Sequence, residues 1–386
     1  MKTKFIKIFF LFVTFLMLPN LAFATPSIVD VSGSLNDGQN VSISGSGFGA
    51  KTIAAPVYWD NFESYALGSA PTAGGWIVRA GTPTISSERP YSFSKSVRFN
   101  NAVHDVFQQM SRDMGTNFTQ TVYFKGKLYL DNTLDICQQY QWKNLRFSSS
   151  PGAYHQNEET STSITMMNPW WEAAVGSRWF NTGSPDFYYN GGLNGIPGGT
   201  PLWGGINAPS TLYPFNQWFD YEFIVKQSSA AGIADGALTI NVNGTQKTNA
   251  TGLITYGVGD GIYRYMMMGG TIASCKDSTA TVLLDPNFKI YYDDMYVDDT
   301  RARVEVCNAN TKAGSTHCEI QVPQNTWSDG QLEIKLNQGT FANDSSAYLY
   351  VADANGSVNA VGFPVTFGAT SGDIIAPAAP TDFGVL

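Results

Sequence analysis

The stretch Leu238-Thr239-Ile240-Asn241-Val242 carries the pattern on which the fold prediction rests. Its apolar residues alternate with polar ones, as in a strand that places one face on a core. The dipeptide Asp235-Gly236 precedes the stretch and Asn243-Gly244 follows it, and both dipeptides favour tight hairpin turns. The segment is therefore predicted to be a β-strand bounded by turns.

Similar short runs recur on both sides of this stretch, at residues 96–99, 122–130, 221–226 and 289–297. Gly, Asn, Asp and Pro separate them, and no run sustains the 3.6-residue period of a helix. Many short strands with turn signals are typical of sandwiches and barrels. The whole chain is predicted to be all-β.

The composition agrees with this prediction and excludes several other classes. Charged residues make up 14% of the 386 residues, aromatic residues make up 13%, and the formal net charge is −8. Soluble chains average about 25% charged residues. So few charges and so many aromatics argue against disorder and against long helical arrays. An acidic chain without a run of basic residues lacks the positive surface that binds nucleic acid.

The first segment of the chain has the features of an export signal. Three lysines begin it, an apolar run from Ile8 to Leu18 follows, and Ala22-Phe23-Ala24 matches a cleavage site. Residues 1–24 are predicted to be a signal peptide, and the mature chain to be secreted, periplasmic or on the cell surface. The apolar run is shorter than the ~20 residues that span a bilayer, so no membrane span is expected in the mature chain.

An exported chain can form disulfides, and this chain has four cysteines: Cys137, Cys275, Cys307 and Cys318. None lies in a C-x-x-C pair, which makes a zinc site an unfavoured interpretation. Four cysteines allow three pairings. Cys307 with Cys318 is the local choice, and it would leave Cys137 with Cys275.

Residues 26–50 resemble the first strands of a TIG-type (IPT) immunoglobulin-like domain, above all in Val41-Ser42-Ile43-Ser44-Gly45-Ser46-Gly47-Phe48-Gly49. The chain does not continue as that domain, and further strand-like runs appear only after residue 300. We therefore predict a split immunoglobulin-like domain, at residues 25–50 and 301–368, that contains an inserted domain. If so, residues 38–45 pair with strands beyond residue 301. Residues 369–386, rich in Pro and Ala, are expected to form a tail.

The middle segment, residues 51–300, resembles concanavalin A-like jelly rolls of the laminin-G and polysaccharide-lyase kind. The likeness lies in Trp59-Asp60-Asn61-Phe62-Glu63-Ser64, in Trp218-Phe219-Asp220-Tyr221-Glu222-Phe223 and in Ile290-Tyr291-Tyr292-Asp293-Asp294. This resemblance implies a jelly-roll β-sandwich beside the smaller immunoglobulin-like β-sandwich. A fold of this kind hosts many functions, so the site must be argued from residues.

A candidate site follows from side-chain alternation between residues 137 and 147. The even positions bring Gln138, Tyr140, Trp142, Asn144 and Arg146 to one face of a strand. Sugars are bound by such a mixture, because their C–H faces stack on aromatic rings and their hydroxyls pair with amides and guanidinium groups. A half-exposed strand with amphipathic residues is the alternative interpretation.

The loop-like stretch after this strand favours the binding interpretation. Six of the nine tryptophans lie between Trp142 and Trp218. Trp170, Trp171 and Trp179 are the further candidates for sugar contact. Long loops inside a compact domain are usually functional, although such tryptophans could also anchor the loops to the sandwich.

A catalytic role is less clearly marked. The E-x-D-x-x-E signature of laminarinase-type jelly rolls is absent, which argues against a retaining glycoside hydrolase. A polysaccharide lyase needs a group that neutralises a uronate carboxylate and a base that removes the adjacent proton. Arg146 could supply the first, and Tyr140 or His155 the second. The R-x-E-L and Q-I-H motifs of alginate lyases are also absent.

No cofactor is required by these interpretations, but a structural calcium ion is one option. Glu63 near the start of the middle domain and Asp293 and Asp294 near its end carry the oxygen ligands that calcium prefers. A solvated acidic edge would explain the same residues.

The sequence therefore predicts an exported protein that recognises an extracellular or cell-wall polysaccharide through one face of its jelly roll. Two alternatives stay open at this point. One is a polysaccharide lyase that cleaves a uronate-containing glycan by β-elimination, and the other is a structural surface or matrix protein. The oligomeric state and the identity of the glycan are not encoded in any recognisable pattern.

Overall fold

The computed structural model describes residues 25–368, with gaps at 101–107, 117, 119, 132–140, 143–144, 149–162, 169–185, 191–213, 215, 232, 254, 256–261, 270, 273, 277–281 and 285–288. Within this part of the chain the regular structure is β, apart from two short 3-10 turns at Pro71–Gly74 and Lys312–Gly314. No helix in it is long and apolar enough to cross a membrane. The predicted all-β class is confirmed.

The strands up to residue 148 are β1 (Ser27–Gly33), β2 (Asn40–Ser46), β3 (Tyr58–Asp60), β4 (Ile77–Ala80), β5 (Thr84–Ser86), β6 (Ser96–Asn100), β7 (Gln109–Asp113), β8 (Thr121–Asp131), β9 (Gln141–Trp142) and β10 (Leu145–Ser148). The next are β11 (Ser163–Asn168), β12 (Asp186–Asn190), β13 (Trp218–Lys226), β14 (Gly236–Val242), β15 (Thr245–Leu253), β16 (Tyr265–Gly269), β17 (Thr271–Ile272), β18 (Ser274–Lys276), β19 (Val282–Leu284) and β20 (Lys289–Asp298). The last are β21 (Arg303–Cys307), β22 (Cys318–Ile320), β23 (Val322–Trp327), β24 (Gln331–Lys335), β25 (Ser346–Ala352) and β26 (Phe363–Thr366).

Two sheets form the larger β-sandwich. The eight-stranded sheet runs β15-β14-β13-β8-β20-β6-β5, with β3 also paired to β20, and the six-stranded sheet runs β12-β11-β10-β16-β7-β4. Alternation along β8 directs Val122, Phe124, Leu128 and Leu130 into the core between the sheets. From the six-stranded sheet, Met110, Leu145, Phe147, Met266 and Met268 enter the same core.

The alternating stretch from Leu238 to Val242 lies in β14, and Asn243 and Gly244 form the turn after it. Leu238, Ile240 and Val242 are buried, as their alternation predicts. Asn243 and Gly244 have φ values of 49° and 70°, and they join β14 to β15 through the Val242–Thr245 pair. A two-residue turn with both φ values positive matches the twist of antiparallel strands, which is why Asn-Gly occurs there.

A smaller β-sandwich is built from both ends of the described chain. Its sheets run β1-β2-β24-β23 and β22-β21-β25-β26. Asn40 through Ser44 of β2 pair with Lys335 through Gln331 of β24, so the first strands join strands that follow the larger sandwich. The pairing that the split-domain hypothesis requires is therefore present. The domain boundaries and the TIG-type assignment stay predictions.

A disulfide joins Cys307 of β21 to Cys318 of β22, as the sequence analysis favoured. It closes the loop between these strands and lies beside Tyr350 in a small buried cluster. Cys137 lies outside the described residues, and only the backbone of Cys275 is described. Their pairing stays a prediction.

The smaller sandwich covers much of the outer face of the eight-stranded sheet. The side chains of Lys125 and Lys127 point away from the larger core, yet they are only 5% and 6% exposed. Lys125 Nζ lies 3.5 Å from Glu305 Oε1 of β21, and Arg303 Nη2 lies 3.2 Å from Glu222 Oε1 of β13. The two sandwiches thus meet through buried ion pairs.

A further buried contact lies where the chain crosses between the sandwiches. Lys51 lies in the segment that joins β2 to β3, and Asp298 ends β20 before the second crossing; their Nζ and Oδ2 atoms are 2.5 Å apart. Lys51 Nζ also donates to the carbonyl of Ala54 and lies 5.4 Å from the ring centroid of Trp327. The contact between Lys51 and Asp298 therefore joins the two segments that connect the sandwiches.

Candidate functional site

The outer face of the six-stranded sheet is the candidate site, because its strands carry or flank the residues that the sequence analysis selected. Along β7, Met110 enters the core, and Gln109, Ser111 and Asp113 alternate to the opposite side. Along β16, Tyr265 and Met267 lie on the side opposite to the core residues Met266 and Met268, although Gln109, Ser111 and Met267 are themselves only 1–2% exposed. We call these residues, together with Arg79 and Arg264, the sheet face.

One arginine of the sheet face is fixed by a hydroxyl. Arg79 lies at an irregularity in the β4–β7 pairing, where Val78 pairs with Met110 and Ala80 with Gln109. Its Nε donates to Ser111 Oγ over 2.7 Å. This hydrogen bond uses one of the five guanidinium N–H groups and holds the group above the middle of β7. The remaining donors of Arg79 are of the type that binds sugar hydroxyls or a carboxylate.

A second arginine of the sheet face forms a fork with an acid. Arg264 Nε lies 2.8 Å from Asp113 Oδ1, and Nη2 lies 2.9 Å from Asp113 Oδ2. These hydrogen bonds lower the pKa of the Asp113 carboxyl below its usual value. The ring of Tyr265 lies 5.8 Å from the Arg264 guanidinium. Asp113 is therefore a partner that orients Arg264 and has no proton to give near neutral pH.

Backbone register places Arg146 in the same row as these residues. Arg146 pairs with Met267 of β16 and with Thr165 of β11, and Met267 in turn pairs with Ser111 of β7. The side chain of Arg146 lies outside what the structure describes. The register alone brings the β10 segment chosen from the sequence into line with Ser111, to which Arg79 is bound.

Most of the other selected residues lie outside the described part of the chain. They are Gln138, Tyr140, Asn144, His155, Trp170, Trp171 and Trp179, together with the side chain of Trp142. Trp142 itself pairs with Thr271 in the short β9–β17 ladder. His155 falls between β10 and β11, and the three tryptophans fall between β11 and β12. Chain connectivity thus ties these segments to strands of the six-stranded sheet.

No sequence pattern selected the β4, β7 and β16 side of the sheet face. In Gln109-Met110-Ser111-Arg112-Asp113 only Met110 is apolar, so the alternation of polar and apolar residues gives little signal there. The fork from Arg264 to Asp113 had no such signal, because it depends on the β7–β16 pairing of Asp113 with Tyr265.

Two of the three carboxylates suggested for calcium, Glu63 and Asp293, accept hydrogen bonds from the protein. Glu63 accepts hydrogen bonds from Ser94 and Lys95, including the backbone N–H of each. Asp293 accepts from the backbone N–H groups of Tyr91, Ser92 and Asp294. Among the described residues, no group of three or more His, Cys, Asp or Glu side chains has an arrangement that could hold a metal ion. The calcium site stays a prediction that these contacts do not favour.

The covered face of the eight-stranded sheet has a different chemistry, because its charges neutralise one another. Burial opposes ionisation of Glu305, but the positive charges of Lys125, Lys312 and Arg303 outweigh it and hold its pKa well below its usual value. In Glu222 burial is likewise outweighed, here by Arg303 and Lys125, and its pKa falls to about 2. These acids stay ionised and are used by the contact between the sandwiches.

No protein-family model and no curated protein matches the chain. Among solved structures, it is similar to the alginate lyase Aly36B, with 14% identity, 64% of this chain and 98% of that chain covered, and a TM-score of 0.43. It is similar to an endo-β-1,4-glucuronan lyase from the fungus Trichoderma reesei, with 10% identity, 63% and 95% covered, and a TM-score of 0.38. It is also similar to the metal-free carbohydrate recognition domain of Emp46p, with 8% identity, 63% and 96% covered, and a TM-score of 0.37.

Proposed function

We propose that the protein is an exported glycan-binding protein that recognises an extracellular or cell-wall polysaccharide through the sheet face. The observation that carries the proposal is the row formed by Arg146, Met267 and Ser111, with the guanidinium of Arg79 fixed to Ser111. Ser111 and Met267 are each only 2% exposed, so the accessible group of this row is the partly exposed guanidinium of Arg79. Its remaining donors suit a polysaccharide, because each sugar presents hydroxyl acceptors.

The position of the smaller sandwich supports the choice of face. It covers much of the outer side of the eight-stranded sheet and buries charges there that would otherwise be available to a ligand. The segments with Trp142, Trp170, Trp171 and Trp179 belong by connectivity to the other sheet. Gln138, Tyr140 and Asn144 are the further candidates for sugar contact in that region.

A binding experiment tests the proposal directly. The chain without residues 1–24 is passed over immobilised neutral and acidic polysaccharides, beside the variants Arg79→Ala and Lys226→Ala. Lys226 is an exposed cation at the end of β13 in the other sheet, which makes it a matched control. We expect retention of the unmodified chain and of Lys226→Ala, and loss of retention in Arg79→Ala. Retention that is equal in all three proteins would place the glycan elsewhere.

The same incubation distinguishes binding from catalysis. A β-elimination creates an unsaturated uronate, so a rise in ultraviolet absorbance would assign a polysaccharide lyase. In that case Arg146 is the candidate for carboxylate neutralisation, and Tyr140 or His155 the candidate base. Retention without absorbance change supports the binding protein. If the chain is not retained and the absorbance does not change, a structural surface or matrix protein is favoured.

A further inference from the structure

A second cluster of aromatic and cationic side chains lies at the edge of the contact between the two sandwiches. We call it the junction surface, and it consists of Arg89, Tyr91, Tyr129, Trp218 and His317. The Trp218 ring lies 5.6 Å from the ring of Tyr129 and 5.7 Å from the ring of Tyr91. Tyr91 stacks on His317 of the smaller sandwich, with ring centroids 4.9 Å apart. The rings thus form a continuous set across both sandwiches.

The junction surface lies where the cover of the eight-stranded sheet ends. Lys125 and Lys127 on β8 are covered, whereas Asp131 at the end of that strand is partly exposed. Trp218 and Tyr91 are partly exposed as well, and the side chain of His317 is 25% exposed. Solvent therefore reaches these rings along one side, whereas the neighbouring ion pairs are buried.

Arg89 is the most open charged group of the junction surface. Its guanidinium lies 5.2 Å from the ring centroid of Tyr129, and its side chain is 47% exposed. Its ion pair with Asp131 spans 3.7 Å between Nη2 and Oδ2, which is too long for a hydrogen bond. The guanidinium is thus positioned by a ring, and its donors are left for a second acceptor.

The charges beside Arg89 leave a small positive balance. Glu88 is already shared by Arg98, Lys289 and the hydroxyl of Tyr291, at 2.6, 2.8 and 2.7 Å. Of the charged side chains named on this side, three are cations (Arg89, Arg98 and Lys289) and two are anions (Glu88 and Asp131). An additional negative group on a ligand would meet a net attraction there.

The loop that carries Arg89 and Tyr91 is held in a fixed shape by buried carboxylates. Asp293 accepts from the backbone N–H groups of Tyr91 and Ser92, at 3.0 and 3.2 Å. Phe93 in the same loop has φ 51°, a region that bulky residues rarely adopt. Such strain persists where the surroundings over-determine the backbone, and it occurs often at binding sites. A fixed loop also lowers the entropy that a ligand must overcome.

We propose that the junction surface is a second binding site, distinct from the sheet face, for a sugar that carries a negatively charged group. The C–H face of the sugar packs against the exposed side of Trp218 and Tyr91. Its carboxylate or sulfate pairs with the guanidinium of Arg89. A long acidic polysaccharide could engage the sheet face and the junction surface at separate points along its chain.

The test uses the complete mature chain with 5-fluorotryptophan and observes Trp218 by fluorine NMR. The Trp218→Phe variant assigns the resonance. The probes are tetragalacturonate, a sulfated tetrasaccharide and the neutral cellotetraose. We expect both acidic probes to shift the Trp218 resonance and cellotetraose to leave it unchanged. We expect Arg89→Gln to weaken the binding of the acidic probes about tenfold, because a charge-assisted hydrogen bond is lost.

Two variants control this result. Arg79→Ala removes a donor from the sheet face and should leave the Trp218 shift intact, so this test is independent of the proposed function. Lys226→Gln removes an exposed cation far from the rings and should also leave it intact. The proposal is overturned if neither acidic probe moves the resonance, or if cellotetraose moves it equally. It is also overturned if Arg89→Gln responds like the unmodified chain, or if the shift disappears in Arg79→Ala.

Discussion

The two outer faces of the larger sandwich differ in what their charged residues do. On the eight-stranded sheet, Lys125 and Glu222 are buried and paired with residues of the smaller sandwich. On the six-stranded sheet, Arg79 and Arg264 are each bound by one residue of their own sheet and keep further donors. Charge on a strand therefore indicates a ligand site only where no other part of the chain uses it.

The substitution Glu305→Ala should cause the largest loss of stability. Glu305 lies 2.9 Å from Lys312 Nζ, 3.0 Å from Arg303 Nε and 3.5 Å from Lys125 Nζ. Its removal takes one counter-charge from three cations at once, two of which, Lys125 and Arg303, are buried, and this costs about 3–5 kcal/mol. Urea denaturation measures the change in the free energy of unfolding. The exposed Asp30→Ala serves as control and should change it by less than about 0.5 kcal/mol.

If Glu305→Ala lost as little stability as Asp30→Ala, the covered face would be held by something other than its charges. The variant should in any case leave glycan retention by the folded protein unchanged, since Glu305 is 2% exposed and contacts the eight-stranded sheet.

The crossing between the sandwiches should make stability depend on pH. Burial raises the pKa of Asp298 to about 7, even though Lys51 lowers it. The folded state therefore retains this proton between about pH 4 and pH 7, where the unfolded chain has released it. The contribution of Asp298 to stability is complete below about pH 4 and decreases as the pH rises to about 7.

Asp298→Asn should remove this decrease. Denaturation of the unmodified chain and of the variant at several pH values gives the difference between the two curves, which isolates Asp298 from the other carboxylates. We expect the variant to gain in relative stability as the pH rises from 4 to 7, by at most about 4 kcal/mol. A difference that is constant across this range would contradict the assignment.

Removal of the disulfide should have a smaller effect. Cys307 and Cys318 enclose a short loop, so their link restricts the unfolded chain only moderately, and the expected loss is about 2–3 kcal/mol. The double variant Cys307→Ser with Cys318→Ser is compared with the unmodified chain by thermal denaturation. A reductant added to the unmodified chain should cause a change at least as large, because it would also reduce the predicted Cys137–Cys275 bond. No change in either case would contradict the prediction.

The sequence predicted which residues form strands better than it predicted which strands pack against each other. Alternation at 238–242 identified β14 and its inward face, because local pattern and turn chemistry agree there. The same rule applied to β8 places Lys125 and Lys127 on an outer face, where they would be read as surface residues. Lys125 is buried because strand β21, far along the chain, packs over it, and Lys127 is buried with its Nζ 4.2 Å from the ring centroid of Tyr91. No local pattern encodes these contacts.

In the candidate site, too, a local pattern predicted some features, whereas others depend on contacts between distant strands. The alternation at 137–147 puts Leu145 and Phe147 on the face opposite to the selected even positions, and both are in the core. The role of Arg79 could not be predicted, because it depends on an irregular pairing of β4 with β7 that brings it to Ser111. Contacts between strands that are distant in sequence define a site, whereas periodicity defines only the face on which a residue lies.

Arg79→Ala should change stability least and binding most, which is the reverse of Glu305→Ala. The Arg79 side chain contributes one partly buried hydrogen bond, to Oγ of the buried Ser111, so the expected loss of stability is about 1 kcal/mol. Loss of its free donors should weaken glycan binding about tenfold, as is usual for a charge-assisted contact. Isothermal titration with the glycan identified by the retention assay measures the affinity, and urea denaturation measures the stability. A variant that lost stability without losing affinity would assign Arg79 to the fold, and the two outer faces would then no longer differ in the use of their charges.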